Sequence, residues 1–118
     1  DLISNGAGNP VLEIYSGAKP AGTNVAPNGT TQKLLATITC QNPVGSVASG
    51  ELTFAALTPD SAADNTGTAT WARQKNGDGV PMYDIDAGNT LSDAALKLNT
   101  ASIVAGGPVI VASYKITF

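Results

Sequence analysis

The chain has 118 residues, a net charge of −3, one cysteine and no histidine; 13% of its residues are charged and 5% are aromatic. That length holds one domain and one core. The lack of any basic cluster excludes the counterion displacement on which nucleic-acid binding depends, and without imidazole the usual catalytic dyads, triads and histidine metal sites are excluded too.

Alanine, glycine, threonine, serine and asparagine dominate, a mixture that makes poor helix surfaces and good turns, so the composition favours an all-β domain. No apolar run approaches the roughly 20 residues that a membrane-spanning helix needs. Cys40 has no partner for an intrachain disulfide, and at the end of an apolar strand it reads as a small buried hydrophobe.

Residues 1–10 are rich in glycine and asparagine and read as an N-terminal arm or entry loop, which Leu2 and Ile3 are suited to anchor on a neighbouring surface. A single β-sandwich domain is expected over 11–118. Val11–Tyr15 alternates, with Leu12 and Ile14 on one face and Val11, Glu13 and Tyr15 on the other. Residues 16–33 carry Pro20 and Pro27 without sustained periodicity and form a long loop. The stretch 34–40 predicts a strand with Leu34, Ala36, Ile38 and Cys40 inward. Asn42, Pro43 and Gly45 break it, and 50–57 predicts the next strand, with Leu52, Phe54 and Ala56 on the core face. Residues 58–66 read as loop.

The central stretch, 67–86, predicts two strands joined by a tight turn, Lys75-Asn76-Gly77-Asp78-Gly79, whose residue types tolerate positive φ. Alternation places Trp71, Arg73 and Lys75 on one face and Thr70, Ala72 and Gln74 on the other. The first set has the residue types enriched in protein interfaces, with Trp71 open to a core reading as well; the second suits close packing. Residues 90–98 fit two readings. A helix would be capped by Thr90 and Asp93 with Leu91, Ala94, Ala95 and Leu98 on one face; a strand would run through Leu96 and Leu98, and the strand is preferred. After a turn at 105–108, residues 109–118 predict the longest strand, with Ile110, Ala112, Tyr114, Ile116 and Phe118 on one apolar face.

About eight strands separated by turns imply two packed antiparallel sheets, a jelly-roll-like sandwich, with an immunoglobulin-like sandwich as the alternative. Asp60, Asp64, Asp78, Asp84, Asp86 and Asp93 lie in or beside loops, where carboxylates are able to bind calcium, but their spacing completes no calcium loop and turn formation explains them better. Asp84 and Asp86 imitate an acid/base pair without a nucleophile or aromatic platform beside them. No enzymatic activity and no cofactor are expected.

Several phrases in order, Leu12-Glu-Ile-Tyr-Ser-Gly-Ala-Lys-Pro20, residues 29–33 leading into Leu34-Leu-Ala-Thr-Ile38, Gly67-Thr-Ala-Thr-Trp-Ala-Arg73, Gly77-Asp-Gly79 and Leu96-Lys-Leu-Asn-Thr-Ala-Ser-Ile-Val-Ala-Gly106, resemble a group of small virion-associated proteins of tailed bacteriophages. The resemblance covers most of the chain from Leu12 onward. It implies a structural part of the particle, with decoration of the capsid exterior preferred: a dimer or trimer binding the major capsid protein at capsomer junctions and cementing the shell. The alternative it leaves is a tail or fibre component, a receptor- or carbohydrate-binding module.

Overall fold

The computed structural model describes residues 9–19, 32–40, 45–48, 51–54, 62–92 and 94–117, with backbone alone for 45–48, 51–54 and 115–117. Ten strands follow in chain order: β1 (Val11–Tyr15), β2 (Leu34–Thr39), β3 (Gly45–Ala48), β4 (Glu51–Phe54), β5 (Gly67–Thr68), β6 (Trp71–Lys75), β7 (Pro81–Asn89), β8 (Leu96–Leu98), β9 (Ser102–Ile103) and β10 (Val111–Thr117). Eight of them form a sheet in the order β2-β1-β6-β7-β8-β10-β4-β3, and β5 and β9 form a separate pair. The expected all-β class is observed, and no helix occurs among the described residues. The expectation of antiparallel pairing throughout is corrected at one place, because β7 and β8 run parallel.

That parallel pair rests on a short crossover. It suffices because the paired stretch is three residues long, about 7 Å of strand. The Asn89 side-chain oxygen accepts the Leu91 N–H at 3.0 Å and its carbonyl accepts the Ser92 hydroxyl at 2.8 Å. A turn therefore stands where the helical alternative placed a first turn, and Leu91, assigned there to the apolar face, is 92% exposed. Asp93, the other half of the expected cap, lies outside the described residues.

The core begins at β1. Leu12 lies opposite Ile38 and Ile14 opposite Ala36 on β2, while Ala72 of β6 flanks Ile14 on the other side. All five are fully buried, and Leu96, Leu98, Ile103, Val109 and Tyr114 complete the same cluster. Side chains stand roughly perpendicular to a strand, and in a flat sheet β6 and β10 would be three spacings, about 14 Å, apart. Yet the Tyr114 hydroxyl of β10 donates to the Gln74 Oε1 of β6 at 2.8 Å. The sheet must curl over its own core for these residues to meet.

Two register shifts explain where simple alternation fails. One lies at Ile14/Tyr15 against β2, and beside it Leu35 is buried while Leu34, predicted inward, is partly exposed. The other lies between Val111 and Ser113 against β8. An extra residue reverses the inward set: Val109 points in before it and Tyr114 after it, so Ile110 and Ala112 are exposed rather than sharing Tyr114's apolar face. A strand, β3, also occupies the place where Gly45 was expected to break the chain. It is an edge strand, at the end of the sheet away from β2, and pairs with β4 by backbone, opposite residues 51–54, which asks little of its side chains. The core roles expected of Leu52, Phe54, Ala56, Ile116 and Phe118 lie outside the described side chains.

At the β6–β7 turn the Asn76 side chain accepts the N–H groups of Asp78 and Val80 at 2.9 and 3.0 Å, and Gly79 takes a φ of 81°. Gly88 has a different reason to be glycine: a Cβ there would lie 2.5 Å from the Ser92 hydroxyl oxygen and 2.9 Å from its Cβ. Ser92 is held in the crossover by its bonds to Asn89, so it cannot simply rotate away. Gly88→Ala is expected to lower unfolding stability by about 1–3 kcal/mol, as other overpacked sites do, measured by urea denaturation.

Candidate functional site

Register converts the alternation of β6 into three cross-strand rows. Trp71 lies between Tyr15 of β1 and Asp86 of β7, Arg73 between Glu13 and Asp84, and Lys75 beside Val11. The aromatic row stacks, with the rings of Tyr15 and Trp71 4.5 Å apart and 12° from parallel. The Arg73 guanidinium sits 5.5 Å from the Trp71 ring centroid, within cation–π range. It also donates twice to Asp84, Nε to Oδ1 at 2.8 Å and Nη2 to Oδ2 at 3.1 Å. This two-pronged geometry is the strong form of the pair. Glu13 closes the layer by accepting the Tyr15 hydroxyl at 2.9 Å and pairing with Lys75 at 3.1 Å.

The layer is buried, although it lies on the face opposite the main apolar cluster. Trp71 is fully enclosed, and the side chains of Arg73 and Asp84 are only 3% and 6% exposed. The three residues singled out from the sequence are brought together, and the core reading applies to Trp71. Lys75 alone keeps appreciable exposure. Bonding to Asp84 holds the Arg73 guanidinium even more firmly protonated than usual, while burial, followed by the bond to Glu13, raises the Tyr15 phenol well above its ordinary value. Leu2 and Ile3 lie outside the described residues.

Beneath β6 lies a second polar group that the sequence reading assigned to close packing. The Gln74 amide donates to the carbonyls of Val11 and Lys75 at 3.1 and 3.0 Å, and approaches the Cys40 sulfur at 3.8 Å. Its Oε1 takes the Tyr114 proton, so the 2.8 Å contact between Tyr114 and Tyr83 has Tyr83 as donor. A chain of two phenols and one amide thus runs through the interior. The available signal was the placement of both tyrosines on predicted strands, since a buried tyrosine hydroxyl needs a partner. Among the described residues no buried side-chain nitrogen or oxygen lacks one.

The carboxylates do not gather. Asp84 serves Arg73, Asp86 pairs with Lys19 at 3.1 Å, and Asp64 and Asp78 are exposed. Among the described residues no group of three metal-ligating side chains converges; Asp60 and Asp93 lie outside them. No helix there is long and apolar enough to cross a membrane. What the arrangement does chemically is fix three strands in one register, using side chains that engage one another.

Two expectations follow from these burials. Asp84→Ala strands the guanidinium of Arg73 and should cost about 3–5 kcal/mol in urea unfolding, while Arg73→Met with Asp84→Leu should recover most of that loss. Burial also raises the Cys40 thiol from 9.0 to about 11 and the Tyr83 phenol from 10.0 to about 12, with Tyr114 shifted the same way. The native state keeps these protons after the unfolded chain has released its own, so stability falls as pH rises above about 9 and continues to fall toward 12. Each group contributes at most about 1.4 kcal/mol per pH unit between its two values. A urea midpoint series from pH 8 to 11 measures the fall, and Cys40→Ala should remove its earliest part.

Comparison of the chain with protein-family models, curated proteins and solved structures finds no match in any of the three.

Proposed function

We propose that this chain is a structural component of a tailed-bacteriophage virion, a decoration protein that binds the outer shell at capsomer junctions and stabilises it. The observation that carries the reading is the ordered series of phrases from Leu12 to Gly106 that resembles small virion-associated proteins. Their placement supports it. The phrases contain β1 from Leu12, β2 up to Ile38, β5, the first three residues of β6 and all of β8 and β9. Those segments supply Leu12, Ile14, Trp71, Arg73, Leu96 and Leu98, the side chains that hold the domain together. A likeness concentrated there is a likeness of scaffold.

The engaged state of the charged layer suits a part whose task is mechanical. A shell is reinforced by summing many modest contacts, so no exceptional local site is needed. The partners are the major capsid protein and other copies of this chain, as a dimer or trimer on the lattice. The finer fold reading, a jelly-roll-like sandwich, belongs to the same proposal; the curl that brings Gln74 to Tyr114 supports it. The tail or fibre alternative gains nothing from Trp71, because an indole enclosed on all sides offers no surface for a sugar ring.

Quantitative mass spectrometry of purified particles tests the proposal. The expected result is a ratio to the major shell protein near one, or a simple fraction of it, and particles lacking the chain that lose heat resistance. A handful of copies per particle would move the protein to the tail. Absence from the particle would end the virion reading.

A further inference from the structure

Segment 16–19 leaves β1 and crosses to β7, passing the start of β6. Its carbonyls accept side-chain donors in succession: Ser16 from the Trp71 indole at 3.1 Å, Gly17 from the Thr70 hydroxyl at 2.6 Å, and Ala18 from the Gln32 amide at 2.5 Å. At its far end the Lys19 ammonium meets Asp86 at 3.1 Å. Gly17 supplies the left-handed backbone, φ 84°, that the path requires. The segment contributes no side chain to the apolar cluster, and residues 17–19 are exposed.

Ser16 is also tied to Lys33, its N–H donating to the Lys33 carbonyl at 3.1 Å and its hydroxyl accepting the Lys33 N–H at 3.3 Å. A segment held by hydrogen bonds and one ion pair, with no apolar burial of its own, can open without disturbing the core. Lys19 and Asp86 are 42% and 69% exposed, so water and salt reach both. Screening weakens such a pair, whereas the Arg73–Asp84 pair beneath is enclosed and resists it. We propose that segment 16–19 is a salt-sensitive latch over the Trp71 layer, opening independently of the core, with Lys19–Asp86 as its catch. Opening bares the indole N–H of Trp71 and frees the Asp86 carboxylate. The inference does not depend on the virion reading.

Trp71 is the chain's one tryptophan, so acrylamide quenching of its fluorescence reports the latch directly. Between about 0.01 M and about 1 M sodium chloride the screening length falls from about 30 to about 3 Å. Across that range the opening constant read from quenching should rise about two- to fivefold, the range an exposed pair of ordinary strength allows. Lys19→Ala and Asp86→Asn should show the raised value already at low salt and respond no further. The exchanged pair, Lys19→Asp with Asp86→Lys, should restore the salt response, and the urea midpoint of cooperative unfolding should stay put in all of them. Quenching indifferent to salt and to Lys19→Ala would overturn the proposal, as would quenching that rises only in step with loss of global stability.

Discussion

From Trp71 to Gln74 strand β6 is buried on both faces, and it meets that constraint with a different chemistry on each. Outward it presents an indole and a guanidinium, and inward a methyl group and an amide. Each polar group on either face would be costly if left alone, because burial removes the water that would otherwise satisfy it. Arg73 answers with Asp84 directly across the ladder, and Gln74 with two carbonyls and a tyrosine. Neighbouring strands are thereby told where to sit: β1 must present Tyr15 and Glu13 at one height, and β7 must present Asp84. Apolar side chains of similar size would stabilise the same space about as well, but they would accept slipped pairings that a two-pronged ion pair rejects.

Much of this was legible in the sequence. The period-two patterns over Val11–Tyr15 and in the central stretch gave the strands, and Asn76-Gly77-Asp78-Gly79 gave the turn with its mechanism. The grouping of Trp71, Arg73 and Lys75 on one face followed from geometry alone. What alternation cannot say is what lies above a face. The enclosure of Trp71 depends on Tyr15, 56 positions earlier, and on the cross-strand pairing that makes them neighbours. Residue types that mark an interface on an open surface mark a buried layer once a neighbouring row closes over them.

The misread elements share a cause. Strand phase over 109–114 was read as continuous, but one extra residue opposite β8 moves Ile110 and Ala112 out and Tyr114 in. Nothing in the residues themselves announces that insertion, since it is a property of the pairing. The parallel placement of β8 is likewise decided by tertiary contact, with Leu96 and Leu98 claimed by the core and the preceding residues left to turn around Asn89. Alternation assigns Gln74 only to the close-packing face; its importance comes from the curl, which delivers Tyr114 to it.

The turn at Asn76 has a kinetic meaning as well. Its side chain organises the backbone of a hairpin whose strands are only five residues apart in sequence, so β6 and β7 can pair after closing a very short loop. The contacts that complete the domain span far more chain: 40 positions separate Gln74 from Tyr114, and 55 separate Trp71 from Ser16. Loop closure over such distances is entropically slow, and domains dominated by it fold in milliseconds to seconds rather than microseconds. The hairpin would then form first as a template, onto which the first strand docks from one side and the last strand arrives from the other.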